Sequence, residues 1–206
     1  MKKIITIFIL MIMLQNCNSQ EKTDLKEIIN SENVNPLLKK VIKFTKEDHE
    51  IVTKLPFYAF YDQQIENFKF GDIYFENTEN SYVKILVNSF SNSNAKVLGI
   101  MINEENNPTL AEKLRTYLVS QYGQPKIIEP EPTFKQDNII FGNSASKWID
   151  TKNNTTIYFY KDYTESNGKQ MIGFSLDIIS NSAEYPPAIG EALQTTKVVD
   201  WYNTRF

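Results

Sequence analysis

The sequence predicts an α+β fold, in which short N-terminal helices precede an antiparallel sheet of about six strands and one long helix, about 109–122, packs on one face. Three observations lead there. Apolar residues recur with a period of two in several runs after residue 57. A single strongly bounded helical stretch interrupts those runs, between Asn107-Pro108 and Gly123. Asn167-Gly168 then separates two of the later strands by a two-residue hairpin signal.

In order along the chain, Asp24-Leu25-Lys26-Glu27 has the form of a capping box, and Leu25, Ile28 and Ile29 sit at helical spacing before a break near Asn30-Ser31. Asn35 caps a second helix with Pro36 in its first turn, and Leu37, Leu38, Val41, Ile42 and Phe44 line one face. Thr45-Lys46-Glu47-Asp48 starts a third, running to Leu55, so that 24–55 is expected to be helical.

Residues 57–180 are expected to form the sheet and its helix. Phe68 to Phe75 is the first strand of the run. Val83, Ile85 and Val87 share a face of the next, and Leu98, Ile100 and Ile102 a face of the third, with Ser91-Asn92-Ser93-Asn94 as the turn between them. The long helix opens at Asn107-Pro108 or at the capping box Thr109-Leu110-Ala111-Glu112; Leu110, Leu114, Tyr117 and Leu118 form its apolar stripe. Beyond a loop rich in Pro and Glu, Lys147 to Asp150, Thr155 to Tyr160 and Met171 to Ile179 read as three more strands. The stretch 181–206 is irregular around Pro186-Pro187, and Trp201, Tyr202 and Phe206 are apolar enough to fold it back onto the body. Strands joined by hairpins with one helix between them make a layered antiparallel architecture, and 24–206 is one domain.

The start of the chain is of another kind. Lys2-Lys3 precedes an eleven-residue hydrophobic stretch, Ile4 to Leu14, which as a helix reaches about 16 Å, half of a bilayer core. That is the pattern of a secretory signal peptide. Leu14-Gln15-Asn16-Cys17 then resembles the lipobox of bacterial lipoproteins, with Asn16 where Gly, Ala or Ser is usual. The resemblance covers about seventeen residues. It implies cleavage before Cys17, diacylglycerol on its sulfur and an acyl chain on its nitrogen, so that 1–17 is a signal ending at the lipidated residue. Cys17 is the only cysteine, so the chain has no disulfide framework and its one thiol is consumed by lipid. Two or three acyl chains, at about 0.8 kcal/mol per buried CH₂, give a firm anchor without a span. Residues 18–23 are polar and are expected to be a disordered tether. Because Asn18, not Asp, follows Cys17, the resemblance implies the outer membrane, on its periplasmic or surface face, over the inner one.

Without Lys2 and Lys3, 20 basic residues face 25 acidic ones, a net charge of −5. No window forms a basic stripe, so nucleic acid is not an expected partner. The seven glycines form neither a dinucleotide fingerprint nor a P-loop, and no cofactor is expected. The one histidine, His49 in Glu47-Asp48-His49-Glu50, reads as a solvated helix position, and no metal site is expected. Asp162 to Gly168 has a calcium-loop look, but Gly168 falls at position seven and no Glu stands at twelve, so a hairpin turn is the expectation. Glu104-Glu105 and Glu129/Glu131 read as solvated acids beside strand ends. Phe57-Tyr58-Ala59-Phe60-Tyr61 either bridges two packed layers or presents rings to a sugar or protein.

These readings together point to a monomeric, membrane-anchored envelope lipoprotein with a non-catalytic role, binding a protein or glycan partner. The alternatives are a lipoprotein hydrolase working through two carboxylates and a protective inhibitor or immunity lipoprotein whose acidic surface covers a basic toxin.

Overall fold

The protein is represented by a computed structural model that describes residues 22–29, 31, 45–51, 55–78, 80–87, 97–184 and 197–204, of which 45–51, 55–60, 201 and 204 are described by their backbone alone. The signal and lipobox residues through Cys17, the expected helix from Asn35 and the expected turn at 91–94 lie outside the described residues. In chain order the regular elements are β1 (Thr23–Asp24), α1 (Leu25–Ile29), β2 (Thr45–Ile51), β3 (Leu55–Asp62), β4 (Phe68–Phe70), β5 (Ile73–Tyr74), β6 (Tyr82–Val87) and β7 (Val97–Glu104). After them come α2 (Pro108–Tyr122), β8 (Lys126–Glu129), β9 (Lys135–Gln136), β10 (Ile139–Ile140), β11 (Gly142–Asp150), β12 (Thr155–Ser166), β13 (Lys169–Ser180) and α3 (Val198–Thr204).

The main sheet has eight strands in the order β2-β3-β6-β7-β13-β12-β11-β8, and every neighbouring pair is antiparallel. The antiparallel sheet with one long helix on a face is therefore present, with more strand than the sequence suggests. Asn107 opens α2, its side chain accepting the Leu110 N–H at 3.1 Å with Pro108 next, and the Gly123 N–H closes it on the Val119 carbonyl. Asn167 and Gly168, both at positive φ, turn β12 into β13, so the Asp162–Gly168 stretch is strand and hairpin.

Leu114 and Leu118 are fully buried and join Val83, Ile85, Ile100, Phe174 and Leu176 in the larger core. The same face is extended by α1, whose Leu25 and Ile28 pack with Phe68, Phe70 and Phe75. The opposite sheet face carries a second core, in which Leu86, Leu98, Tyr158, Ile179 and Ala183 meet Val198, Val199 and Tyr202 of α3. Within the tail, Val198–Thr204 is thus a helix that folds back on the far face through Val198, Val199 and Tyr202, whereas Pro186-Pro187, Phe206 and the Trp201 side chain lie outside the described residues.

Four expectations are corrected. Residues 45–51 pair with β3 as a strand, Thr45 opposite Tyr61 and His49 opposite Phe57, where a third helix was read. A capping signal contributes only about 1 kcal/mol, and a seven-residue ladder outweighs it. His49 is accordingly a strand residue. Phe68 to Phe75 is not one strand of the main sheet but a tight hairpin, β4 and β5, which β1 joins in parallel with Thr23 opposite Phe68. Lys22 and Thr23 therefore belong to the fold and not to the disordered tether expected over 18–23. The hairpin turns at Gly71, where φ is +60° and an added Cβ would lie 1.9 Å from the Tyr117 hydroxyl; the Asp24 carboxylate accepts both the Gly71 and the Lys26 N–H. Finally, Leu98 does not share a face with Ile100 and Ile102. A bulge beside the Leu86/Val87 step puts Leu98 into the second core while Val97 stays in the first, because one extra residue reverses the alternation beyond it.

Candidate functional site

The segment after α2, read from sequence as loop, holds the short edge strand β8, and its register builds a site. Lys126 stands opposite Lys147 of β11, and Lys147 opposite Tyr158 of β12. Alternation fixes which way they face: Trp148, Ile157 and Phe159 enter the larger core, so Lys147 and Tyr158 point to the far side of the sheet. Ile128, two residues on from Lys126, shares that face and packs on the second core, and between Ala145 and Ser146 the β8 pairing then shifts by one residue at a bulge.

Helix α3 supplies the remaining side. The Tyr202 ring lies 5.3 Å from that of Tyr158, and one residue on, the Asn203 carbonyl oxygen accepts from Lys147 Nζ at 2.7 Å and from Tyr158 Oη at 2.9 Å. The result is a cavity of about 170 Å³ lined by Lys126, Ile127, Ile128, Lys147, Tyr158 and Asn203. Burial and the neighbouring Lys126 charge hold the Lys147 ammonium below its ordinary pKa. Burial pushes the Tyr158 hydroxyl up to about 12, with help from the charges of Asp200 and Asp177. Neither Lys126 nor Lys147 has a carboxylate partner among the described residues.

Beyond the cavity, the far face is aromatic and polar. Register places Tyr160, Ser175, Asn103 and Tyr82 in one row, all half-buried. The rings of Tyr158 and Tyr160 are parallel at 6.4 Å, and the Lys84 ammonium lies 4.9 Å from the Tyr82 ring and 5.2 Å from that of Tyr61. Tyr61 is the one member of the Phe57–Tyr61 group whose side chain is described.

Lys161 is the opposite case to the cavity lysines. It points to the α2 side, its side chain is 7% exposed, and its ammonium lies 2.6 Å from Glu131 and 3.0 Å from Glu112. Burial opposes its charge, but the hydrogen bonds to Glu131, Tyr163 and Glu112 more than compensate and raise its pKa. Burial likewise acts upward on Glu131, and Lys161 and Tyr163 overcome it to hold the carboxylate below the usual range. This network fastens the segment after β8 to β12 and α2. Glu131 is therefore paired, whereas Glu129 is exposed at the end of β8.

Glu104 was read as a solvated acid and is not: it is 1% exposed, and its one carboxylate bond is from the Thr78 hydroxyl at 2.5 Å. Burial raises its pKa, the Thr78 bond opposes this and the charge of Glu76 adds to it. Its folded pKa thus exceeds the unfolded one, so stability falls as pH rises from about 4.5 to the raised value and stays lower above it. Glu104→Gln is expected to flatten that decline and to leave the protein about 1 kcal/mol more stable at pH 7. Urea unfolding of both proteins at pH 5 and 7 checks it; a variant that parallels the parent at both values contradicts the assignment.

The sequence reading did not find the Lys126/Lys147 pair. Only the pairing of residues 21 apart shows it, and Asn203 comes from a tail expected to be irregular. No family model, curated protein or solved structure matches this chain.

Proposed function

We propose that this chain is a lipid-anchored cell-envelope protein with a non-catalytic binding role, presenting the sheet face opposite α2 to a protein or glycan partner. The anchor rests on the resemblance of Leu14-Gln15-Asn16-Cys17 to a lipobox, and Asn18 favours the outer membrane. The observation that carries the binding role is the pair of lysines converging on a cavity with no carboxylate to neutralise them, beside half-buried tyrosines. Tyrosine in such a setting offers flat apolar area and a hydroxyl at low entropic cost, and the lysines add charge. The hydrolase alternative is less well supported, since Glu104, a carboxyl of raised pKa, is buried under Thr78 and does not line the cavity.

The anchor is tested by Cys17→Ala, which is expected to abolish palmitate labelling and to accumulate as soluble or unprocessed chain; unchanged labelling and membrane retention would sink it. The binding role is tested by affinity capture from envelope membranes with the acylated protein. A defined protein or glycan retained by the parent and released by Lys147→Glu supports it. Turnover of an envelope component that disappears in Glu104→Gln would replace it with the hydrolase.

A further inference from the structure

The strongest unexplained feature is the electrostatics of the far-face cavity. In an antiparallel sheet like charges placed directly opposite each other destabilise the pairing, and Lys126 and Lys147 are directly opposite in the register. The contrast inside the molecule is informative: Lys161 is held by two carboxylates, whereas Lys126 and Lys147 share none among the described residues. The donors that remain point to one kind of guest. The Asn203 carbonyl oxygen is occupied by Lys147 and Tyr158, which leaves its amide N–H groups, the protons of Lys126 and the other protons of Lys147 available to a guest at the cavity.

Size narrows it further. At about 170 Å³ the cavity is smaller than the roughly 300–1,000 Å³ of sites for drug-sized ligands, so it accommodates a small ion or one functional group of a larger molecule. A group with several acceptor oxygens and two negative charges would neutralise both lysines and turn a repulsive pair into a bridged one.

We propose that the cavity between β8, β11, β12 and α3 is a binding site for a phosphate group, held by Lys126 and Lys147 with Asn203 as a further donor. The inference deepens the proposed binding role and rests on it. The group is either free inorganic phosphate or the terminal phosphomonoester of a larger envelope molecule; the chemistry recognised is the same.

The test uses the full-length chain in a neutral detergent, with inorganic phosphate, glycerol phosphate and acetate compared with chloride at equal ionic strength. Because a ligand that binds only the folded state raises the melting temperature in a saturable way, inorganic phosphate or glycerol phosphate is expected to do so and acetate is not. Lys126→Gln and Lys147→Gln are each expected to weaken phosphate binding at least tenfold. Lys126→Gln, at an exposed position, should keep or slightly raise the melting temperature without phosphate, which shows that the loss is not misfolding. Tighter binding of glycerol phosphate identifies an esterified source, and equal or tighter binding of inorganic phosphate a free one. A rise that does not saturate, that acetate matches, or that survives both substitutions overturns the proposal. Failure of this test with partner capture still sensitive to Lys147→Glu removes the phosphate inference alone; intact phosphate binding with no partner captured removes the wider binding role.

Discussion

Truncating Leu114 or Leu118 to Ala is expected to cost about 2–5 kcal/mol each, a large share of the roughly 5–15 kcal/mol that holds a domain together. Both side chains are fully buried on one stripe of α2, against strands from both halves of the sheet. The loss has two parts: the transfer free energy of the removed methyl groups, and the contacts forfeited around a cavity that the rigid sheet cannot close. At roughly 2–4 °C per kcal/mol for a chain of this size, melting should fall by about 5–20 °C in calorimetry. A shift of under 2 °C for both variants would show that α2 does not seal the core.

Trp148→Ala should be as damaging, about 3–5 kcal/mol, for a different reason. The indole is 3% exposed in the larger core, and its N–H donates to the Gly123 carbonyl at 2.9 Å, so it fills space and also secures the end of α2. Trp148→Phe separates the two contributions. It keeps most of the apolar area and loses the hydrogen bond, for which about 1 kcal/mol is expected beyond the smaller ring's packing loss. Equal loss in the two variants, measured by urea unfolding, would mean that the hydrogen bond carries the effect and the packing argument is wrong.

What could be read from the sequence follows from the range of the forces involved. The ends of α2 and the turn at Asn167-Gly168 are set by residues within four positions of each other, and both were legible. The burial of Leu114 and Leu118 followed from helical spacing alone. Residues 45–51 were misread because their local signals favour a helix, while the ladder to β3 depends on partners further along the chain. Leu98 was misplaced by a single bulge, which leaves no mark on a period-two pattern. The candidate site was less legible still. Lys126 and Lys147 become neighbours only through strand register, and Asn203 reaches them only because Val198, Val199 and Tyr202 dock on the second core. Glu104 looked like any acid at a strand end; its burial comes from the packing of its surroundings.

The placing of α2 has a consequence for how the molecule measures itself. In the sheet order, the strands from the first half of the chain and those from the second meet only where β7 pairs with β13, and α2 leaves β7 at that seam to return as β8 on the outer edge. Four strand spacings separate β7 from β8, about 19 Å at 4.8 Å each, and a helix of fifteen residues is about 22 Å long at 1.5 Å per residue. The helix is thus long enough to carry the chain from the seam to the outer edge. That crossing brings β8 alongside β11, where strand register sets Lys126 opposite Lys147, so one wall of the cavity depends on a passage made over the other face of the sheet.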